Sequence, residues 1–361
     1  MKQKFSEVLS IINGRNQKKV ENPNGKYPIY GSGGVMGYAD DYLCKENTVI
    51  LGRKGNINKP IFVDRKFWNV DTAFGLEARQ NLLLPKYLYY FCCHYDFERH
   101  NRTVTIPSLT KKDLLEIEME IPELTAQNHA VEVLDAIQEN ISNRQHVLTL
   151  LDELVKSRFV EMFGDPVTNP FGFQKILLKD VAEIKIGPFG SLLHQDDYVE
   201  GQHALVNPSH IRGDTIVPDN KLTVSEERYR ELEAYHLQKY DIVLGRRGEM
   251  GRAAVVQENG LLCGTGSLLI RVKEKINPYF LQKIITYPTF KKYIESKSVG
   301  TTMQNLNAKM VSNLEIPIYP LELQNQFSTF VHQVEATKTT VRAQLAALTT
   351  LRAKMMQEFF G

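Results

Sequence analysis

The chain has 361 residues, of which 42% are hydrophobic and 24% charged, and its mean hydropathy is −0.30. This length predicts two or three domains that each bury a core. No apolar run approaches the ~18 residues of a membrane span, and residues 1–10 lack a signal-peptide core, so we expect a cytoplasmic protein. The net charge of +2 excludes no class of partner, because a small excess of cations can cluster on one face.

Residues 1–120 have the pattern of a mixed domain in which strands predominate. Short apolar runs bounded by Gly, Asn and Pro predict strands at 48–51 and 60–63. A helix is predicted over 83–95, with Pro85 in its first turn. We therefore expect a first α+β domain over 1–120.

Residues 121–164 have the pattern of one long helix. After Pro122 neither Pro nor Gly occurs before Gly164, so nothing local interrupts a helix of about forty residues, roughly 60 Å long. Apolar residues recur at the 4-3 spacing of a heptad seam. The seam positions are Ala130, Leu134, Ile137, Ile141, Arg144, Leu148, Leu151, Val155, Arg158 and Met162.

The second part of the chain has the same organisation. Residues 165–316 contain a linker and a second mixed domain, with strands predicted at 242–244 and 253–256 and a helix over 279–293 opened by Pro278. Residues 317–361 predict a second long helix. Its seam, 197 residues after the first, consists of Phe327, Val331, Val334, Lys338, Val341, Leu345, Leu348, Arg352, Met355 and Phe359.

The two halves are copies of one unit. "VILGRKG" at 49–55 matches "IVLGRRG" 193 residues later, and Ile121-Pro122 matches Ile316-Pro317. The glycine cluster at 31–37 has no partner in the second copy, which instead contains "GPFGSLLHQDDY" from Gly187. We therefore predict a shared frame that carries two different inserts.

The two seams are suited to pair with each other within one chain. Each polar position of one seam corresponds to an apolar position in the other copy of the repeat; these polar positions are Arg144, Arg158, Lys338 and Arg352. Because only residues 165–174 join the first helix to the second head, we predict an antiparallel coiled coil and a pseudo-two-fold repeat. The alternative is two unrelated amphipathic helices, each lying on its own head. The predicted helix-pairing residues are Leu134, Ile137, Ile141, Leu148, Leu151, Val334, Val341, Leu345 and Leu348.

The stretch "YPIYGSGGVMGY" at 27–38 raises the question of a nucleotide-binding loop. Its dinucleotide fingerprint is incomplete, because the following residues lack a helical apolar period and no acid lies about twenty residues on. "NPFGF" at 169–173 has only one of the two prolines of an adenine methyltransferase motif. The alternative that remains is a methyltransferase or nuclease that uses this glycine loop.

Metal-binding and catalytic patterns are also missing from the sequence. The four cysteines form no CxxC pair, and the histidines form no His-x-His or His-Glu-x-x-His cluster. "HQDD" at 194–197 is interpreted as a solvated turn. We therefore predict no catalytic residue, no metal and no disulfide.

A basic segment is shared by both copies. Glycines enclose a two-cation turn after a strand, which predicts a tight, protruding hairpin tip whose cations and backbone N–H groups meet phosphates, and Arg also reaches guanine. The alternative is an ordinary hairpin whose cationic side chains are exposed to water and bind no partner. The predicted contacts are Arg53, Lys54 and Lys59 in the first copy and Arg246, Arg247 and Arg252 in the second.

A second shared segment contains small polar groups that cap a helix, contact DNA, or do both. Its candidate residues are Thr105 and Ser108 in the first copy and Thr302, Gln304 and Asn305 in the second. In the glycine loop, which differs between the copies and is therefore expected to carry specificity, Tyr30 and Ser32 are the predicted contacts.

This pattern resembles the specificity (S) subunit of Type I restriction-modification systems, the HsdS family. The resemblance covers nearly the whole chain and rests on the order of its landmarks: two copies of a variable head plus long helix, the Ile-Pro elements with "ELTAQN" and "LELQNQ", and "MFGDP" at 162–166. It implies that each head is a target-recognition domain for one half of a split DNA site. It also implies that the helices set the spacing and dock two modification subunits that bring S-adenosylmethionine, and that restriction subunits join the full complex.

Overall fold

The computed structural model describes residues 2–101, 106–298 and 305–361. The chain forms an α+β fold with two compact units, Met1–Leu148 with Thr340–Gly361 and Thr149–Thr339. Both boundaries fall inside long helices, so each unit contains one head and a part of each long helix.

The first head begins with a strand and ends at the first long helix. Its helices are α1 (Phe5–Val8), α2 (Pro85–His94), α3 (Lys111–Leu115) and the start of α4 (Leu124–Phe163). Its strands are β1 (Lys2–Lys4), β2 (Leu9–Asn13), β3 (Tyr27–Gly31), β4 (Gly34–Ala39), β5 (Thr48–Gly52), β6 (Ile61–Val63), β7 (Trp68–Asn69), β8 (Ala73–Ala78) and β9 (Glu118–Glu120).

The central sheet of the first head is antiparallel in the order β2-β8-β5-β6. All five residues of β5 are buried, which explains why this strand has a continuous apolar run and no alternation. Val49 and Leu51 pack into the core with α2, whereas Ile50 faces a smaller cluster that contains Phe67. A second sheet in the order β4-β3-β7 and the antiparallel pair β1-β9 complete this head.

The second head has more elements. Its helices are α5 (Leu178–Val181), α6 (Glu226–Glu231), α7 (Pro278–Thr286), α8 (Pro288–Lys297) and α9 (Ala308–Ser312), followed by α10 (Leu321–Phe360). Its strands are β10 (Lys175–Leu177), β11 (Ala182–Ile186), β12 (Tyr198–Val199), β13 (His203–Val206), β14 (Ile211–Arg212), β15 (Thr215–Ile216), β16 (Thr223–Val224), β17 (His236–Leu237), β18 (Ile242–Gly245), β19 (Ala253–Val255), β20 (Leu261–Cys263), β21 (Ser267–Val272) and β22 (Glu315–Pro317).

The second head repeats the frame of the first. Its antiparallel sheet β11-β21-β18-β19 has the same order of equivalent strands, and β10-β22 corresponds to β1-β9. Strand β18 is again buried throughout, with Ile242 and Leu244 in the main core and Val243 in a separate cluster. The predicted repeat is therefore a repeat of structure.

The long helices agree with their prediction and one shorter helix does not. Helices α4 and α10 have 40 residues each. The single helix predicted over 279–293 is wrong, because α7 ends before Tyr287 and α8 begins at Pro288, whose ring lacks the N–H that a continuous helix needs. In the described part of the chain no helix combines the length and apolarity that a membrane crossing requires.

Within the first unit, the start of α4 packs with the end of α10. Leu134 is fully buried in the core that also contains Met356, and Ile137, Ile141 and Val341 are 7–8% exposed. Leu148, Leu345 and Leu348 are half-buried. The predicted pairing residues of this unit thus all face away from solvent at least in part.

Within the second unit, the two helices run antiparallel. Phe159 contacts Phe327 with 5.5 Å between ring centroids, and Lys338 Nζ lies 2.8 Å from Asp152 Oδ1, so the partner number falls as the residue number rises. Val334 is 6% exposed and Leu151 is half-buried against the same core. The buried Lys338 is a polar break in the seam that is satisfied by carboxylates.

Candidate nucleic-acid interface

The basic loop of the first unit connects β5 to β6 and folds back onto the second shared segment. The Arg53 N–H donates to the Thr72 carbonyl at 2.8 Å, and the Leu109 N–H donates to the Arg53 carbonyl at 2.9 Å. Lys54 and Ser108 form a β-bridge. Two segments that the sequence singled out separately therefore form one surface.

The second unit builds the same junction. The Arg246 N–H donates to the Gly266 carbonyl at 3.0 Å, and the Leu306 N–H donates to the Arg246 carbonyl at 3.0 Å. Arg247 and Asn305 form the equivalent β-bridge. This shared hydrogen-bonding pattern means that both basic loops have the same backbone support.

The cations of the two loops differ in exposure. Arg53 and Lys54 are exposed, and the Arg53 guanidinium carbon lies 5.8 Å from the centroid of the Phe74 ring. Arg246 is only 8% exposed, and its Nε donates to Asn305 Oδ1 at 3.1 Å. Burial, and then the charge of Arg247, lower the pKa of the Arg246 guanidinium. The prediction of a protruding cation is therefore wrong for Arg246, because the amide of Asn305 holds its side chain inside.

The outer cations of the two loops also differ. Lys59 is exposed. Arg252 is half-buried, and its guanidinium binds the Glu249 carboxylate and donates to the Pro208 carbonyl at 3.1 Å. The side chain of Arg252 is thus engaged in holding its own loop, whereas Arg247 remains exposed.

The glycine-rich stretch forms a hairpin between β3 and β4, with Ser32 and Gly33 in its turn. A dinucleotide site needs a helix to begin after its glycines, and here a strand follows, so the nucleotide-cradle alternative lacks its structural basis. Tyr30 is half-buried, with its ring 5.4 Å from that of Phe67. Ser32 Oγ donates to the Lys54 carbonyl at 3.4 Å, which joins the hairpin turn to the basic loop.

The strand that leads into this hairpin has a counterpart in the second unit. Strand β3 pairs in parallel with β7, and β13 pairs in parallel with β20. A Cβ on Gly52 would lie 3.2 Å from Ser32, and a Cβ on Gly245 would lie 3.2 Å from Pro208. Ser32 and Pro208 are therefore equivalent positions, and each lies unusually close to a glycine of its basic loop.

Pro208 could not be matched to Ser32 from the sequence, because the segments that contain these two residues share no characteristic residue type. Pro208 follows Ser32 by 176 residues, whereas the basic loops are 193 residues apart. The only available signal was a short apolar run before each turn, which many segments share. The insert after Pro208 continues with the small hairpin β14-β15 and not with an equivalent of β4.

Three predicted contacts, Thr105, Thr302 and Gln304, lie outside the described residues. Ser108 and Asn305 are half-buried beside the basic loops. In the first unit a cavity of about 350 Å³ opens next to Ser108, and it is lined by Asn13, Arg53, Phe74, Ser108, Leu109, Thr110 and Lys111. Two of these side chains are cations, so the cavity is suited to an anionic group.

Cys44 and Cys263 are buried. Burial raises the pKa of Cys44 and of Cys263 to about 12, so these thiols stay protonated. The described residues contain no cluster of three or more His, Cys, Asp or Glu side chains that would hold a metal ion.

Comparison with known proteins identifies the family. The model of the Type I restriction modification DNA specificity domain matches residues 1–151 and 170–350. The chain belongs to this family. It is 20% identical over 316 residues to the Type I restriction enzyme MjaVIII specificity subunit of Methanocaldococcus jannaschii, with 82% of this chain and 74% of that protein covered.

Two solved structures share the fold of this chain. The S subunit of a Type I restriction-modification system from M. genitalium superimposes with a TM-score of 0.66 and 19% identity, over 100% of this chain and 96% of that one. A chain from a structural study of complex assembly and conformational transition of the type I R-M system gives 0.60 and 16%, over 99% and 97%. The specificity-subunit fold is therefore established for this chain.

Proposed function

We propose that this specificity subunit is a non-catalytic DNA-recognition protein in which each unit contacts one half of a split site. The observation that carries the proposal is the equivalent junction of each basic loop with its second segment, Lys54 with Ser108 and Arg247 with Asn305. Exposed cations and backbone groups at such a junction suit the phosphates of duplex DNA, which fix position without reading sequence.

Recognition of the DNA bases is assigned to the inserts that differ between the two units. The hairpin β3-β4 lies beside the basic loop of the first unit, and the segment after Pro208 lies at the equivalent place in the second. Because the frame repeats and the inserts do not, two different half-sites are expected. The helices α4 and α10 contribute to both units and would fix the separation of the half-sites, as dimer geometry does in other DNA-binding proteins.

Docking of two modification subunits is assigned to the helices. Leu154 of α4 and Leu351 of α10 are equivalent positions in the repeat, and they are 48% and 43% exposed. Exposed leucines at equivalent positions suit two copies of one partner. The modification subunits would bring S-adenosylmethionine, restriction subunits would join the full complex, and the subunit would act in the cytoplasm.

Charge removal tests DNA contact. In the double variant Lys54→Gln with Arg247→Gln, we expect assembly with the modification subunits to persist while DNA modification is strongly reduced. The slope of log affinity against log salt should fall by about two, since two phosphate contacts are lost. The control variant Lys45→Gln with Lys275→Gln removes two exposed charges that lie neither in the basic loops nor on the long helices, and it should leave both properties unchanged. Full modification by the first variant would contradict the proposal.

Two further measurements test the partner assignments. Leu154→Lys and Leu351→Lys should each release one modification subunit, as measured by native mass spectrometry, whereas Ala353→Lys on another face of α10 should not. The isolated chain should show no binding of S-adenosylmethionine by calorimetry. Measurable binding would instead support an enzyme that carries its own cofactor.

A further inference from the structure

Strand β4 exposes an apolar strip on the first unit. Val35, Met36 and Tyr38 are 55%, 63% and 47% exposed. The strand is the outer strand of the sheet β4-β3-β7, and its end is bridged by residues 21–22, through Glu21 with Ala39 and the Asn22 N–H that donates to the Tyr38 carbonyl at 2.9 Å. Val35 and Met36 precede this bridge, and exposed apolar side chains near a sheet edge are normally covered by a partner because they otherwise favour aggregation. This strip therefore has the properties of a contact surface.

A β-bulge directs Met36 outward. Tyr30 pairs with Val35 and Ile29 pairs with Gly37, which leaves Met36 without an opposite residue. The Met36 sulfur lies 2.7 Å from where a Cβ on residue 31 would be, so the end of this flexible side chain lies directly against the glycine. Bulges of this kind re-aim side chains near functional sites, and here a flexible thioether lies across the hairpin turn.

Cations flank the strip on both sides. The turn is joined to the basic loop through Ser32, and Arg53 and Lys54 there are exposed. Towards the other end of the hairpin, the Lys26 ammonium lies 5.6 Å from the ring centroid of Tyr27, whose ring contacts that of Tyr42. An apolar strip between cations matches a duplex groove, where phosphates border a floor that carries apolar methyl groups.

We propose that Val35 and Met36 contact the C5-methyl groups of thymines in the major groove of the half-site read by the first unit. This inference rests on the proposed function. The thymine methyl is the apolar group on the base edges of the major groove, so an apolar probe selects T·A pairs there. The equivalent segment of the second unit continues from Pro208 with the exposed polar residues Ser209 and Arg212, so its half-site serves as a comparison.

The test uses the complex purified with its modification subunits and the recognition site obtained by mapping methylated adenines. Each thymine of the site is replaced in turn by deoxyuridine, which removes only the methyl group, and duplex affinity is measured. At one or two thymines of the first half-site we expect about fourfold weaker binding, corresponding to the burial of one methyl group at roughly 0.8 kcal/mol.

Variants link that loss to the two residues. Met36→Gln and Val35→Thr should weaken binding to the native duplex, and on the corresponding deoxyuridine duplex the difference from wild type should fall to within about twofold, because the same contact is already absent. Leu82→Gln, at another exposed apolar position of the same unit, should bind both duplexes like wild type.

The outcomes separate the inference from the function on which it rests. Failure of the wild-type complex to prefer its mapped site over a scrambled duplex contradicts the proposed function itself. A clear preference without any deoxyuridine effect in the first half-site, or a first half-site that lacks T·A pairs, overturns the inference alone. Equal deoxyuridine effects for wild type and both variants would assign the methyl contact to other residues and also overturn it.

Discussion

The two units place the same backbone turn before strands β5 and β18 and fill it with different residues. The turn residue has a positive φ in both, 58° at Asn47 and 78° at Tyr240. Asparagine tolerates this left-handed conformation, whereas an aromatic residue adopts it at a cost. The frame therefore keeps its geometry even where the residue type opposes it, which indicates that packing of the surrounding sheet dictates the turn.

Residues that match in sequence between the two units do not always have the same structural environment. Arg53 and Arg246 occupy matching positions in nearly identical segments, yet one is exposed and the other is bonded to Asn305 inside the protein. Ser32 and Pro208 share no sequence signal, yet they occupy equivalent places beside the basic loops. Chemistry at the proposed DNA surface has thus diverged more than the backbone that carries it.

Exchange of the first head is expected to give the largest difference between the two units. Replacing residues 1–120 by those of another specificity subunit should change one half-site completely and leave the other half-site and the spacing unaltered. Each mismatched base pair costs about 1–3 kcal/mol, so the original half-site should no longer be modified. Mapping of methylated adenines reads out the result. A change in both half-sites would show that the two units do not read DNA independently.

Truncation of the two matched arginines should separate their roles. Arg246→Ala removes a buried side chain and leaves Asn305 Oδ1 without this donor, so the free energy of unfolding should fall by about 1–3 kcal/mol. Arg53→Ala removes an exposed side chain, and we expect a change within about 0.5 kcal/mol. Urea unfolding of both variants measures the difference. Equal losses would mean that Arg53 is as firmly integrated as Arg246.

Much of the frame could be predicted from the sequence because its signals are local. The absence of Pro and Gly between Pro122 and Gly164, together with the 4-3 spacing of apolar residues, indicates a long helix, and the buried strands β5 and β18 appear as apolar runs before a basic turn. Pro288 was an equally local signal for the break between α7 and α8. Such features depend on residues that are neighbours in the chain.

The surface around the basic loops could be predicted only in part, because it depends on contacts between distant segments. Both shared segments were recognised, but their pairing through Lys54 and Ser108 joins residues 54 positions apart. The burial of Arg246 depends on Asn305, and the outward direction of Met36 depends on a bulge. A one-dimensional pattern contains none of these distances.

Exchange of the turn residues gives a smaller effect of opposite sign in the two units. Tyr240→Asn should stabilise the protein by about 1 kcal/mol, because asparagine adopts the left-handed conformation with less strain. Asn47→Tyr should destabilise it by a similar amount. Thermal unfolding of the two variants provides the measurement. If Tyr240→Asn destabilises the protein, the contact of Tyr240 with Tyr279 outweighs the strain.

The smallest expected effect concerns equivalent seam positions of the long helices. Ile141 of α4 corresponds to Lys338 of α10, which is buried and bonded to Asp152 and Glu335. Lys338→Ile removes only the ammonium, and water can solvate the two carboxylates that remain, because the side chains of Asp152 and Glu335 are 57% and 34% exposed. The attraction that is lost is offset by the desolvation cost that the buried ammonium no longer incurs. Lys338→Ile should therefore change the free energy of unfolding at pH 7 by less than about 1 kcal/mol.

The pH dependence of that variant distinguishes an ion pair from simple packing. Burial opposes the charge of Lys338, but the hydrogen bonds to Asp152 and Glu335 outweigh it and raise the pKa of the ammonium above its usual 10.5. A raised pKa stabilises the folded state fully below pH 10.5, and this contribution is lost as the pH rises through the folded-state value. The stability difference between Lys338→Ile and wild type should thus be constant from pH 7 to 10 and shift in favour of the variant above it. A difference that stays constant to pH 11.5 would mean that Lys338 contributes through its aliphatic stem and not through its charge.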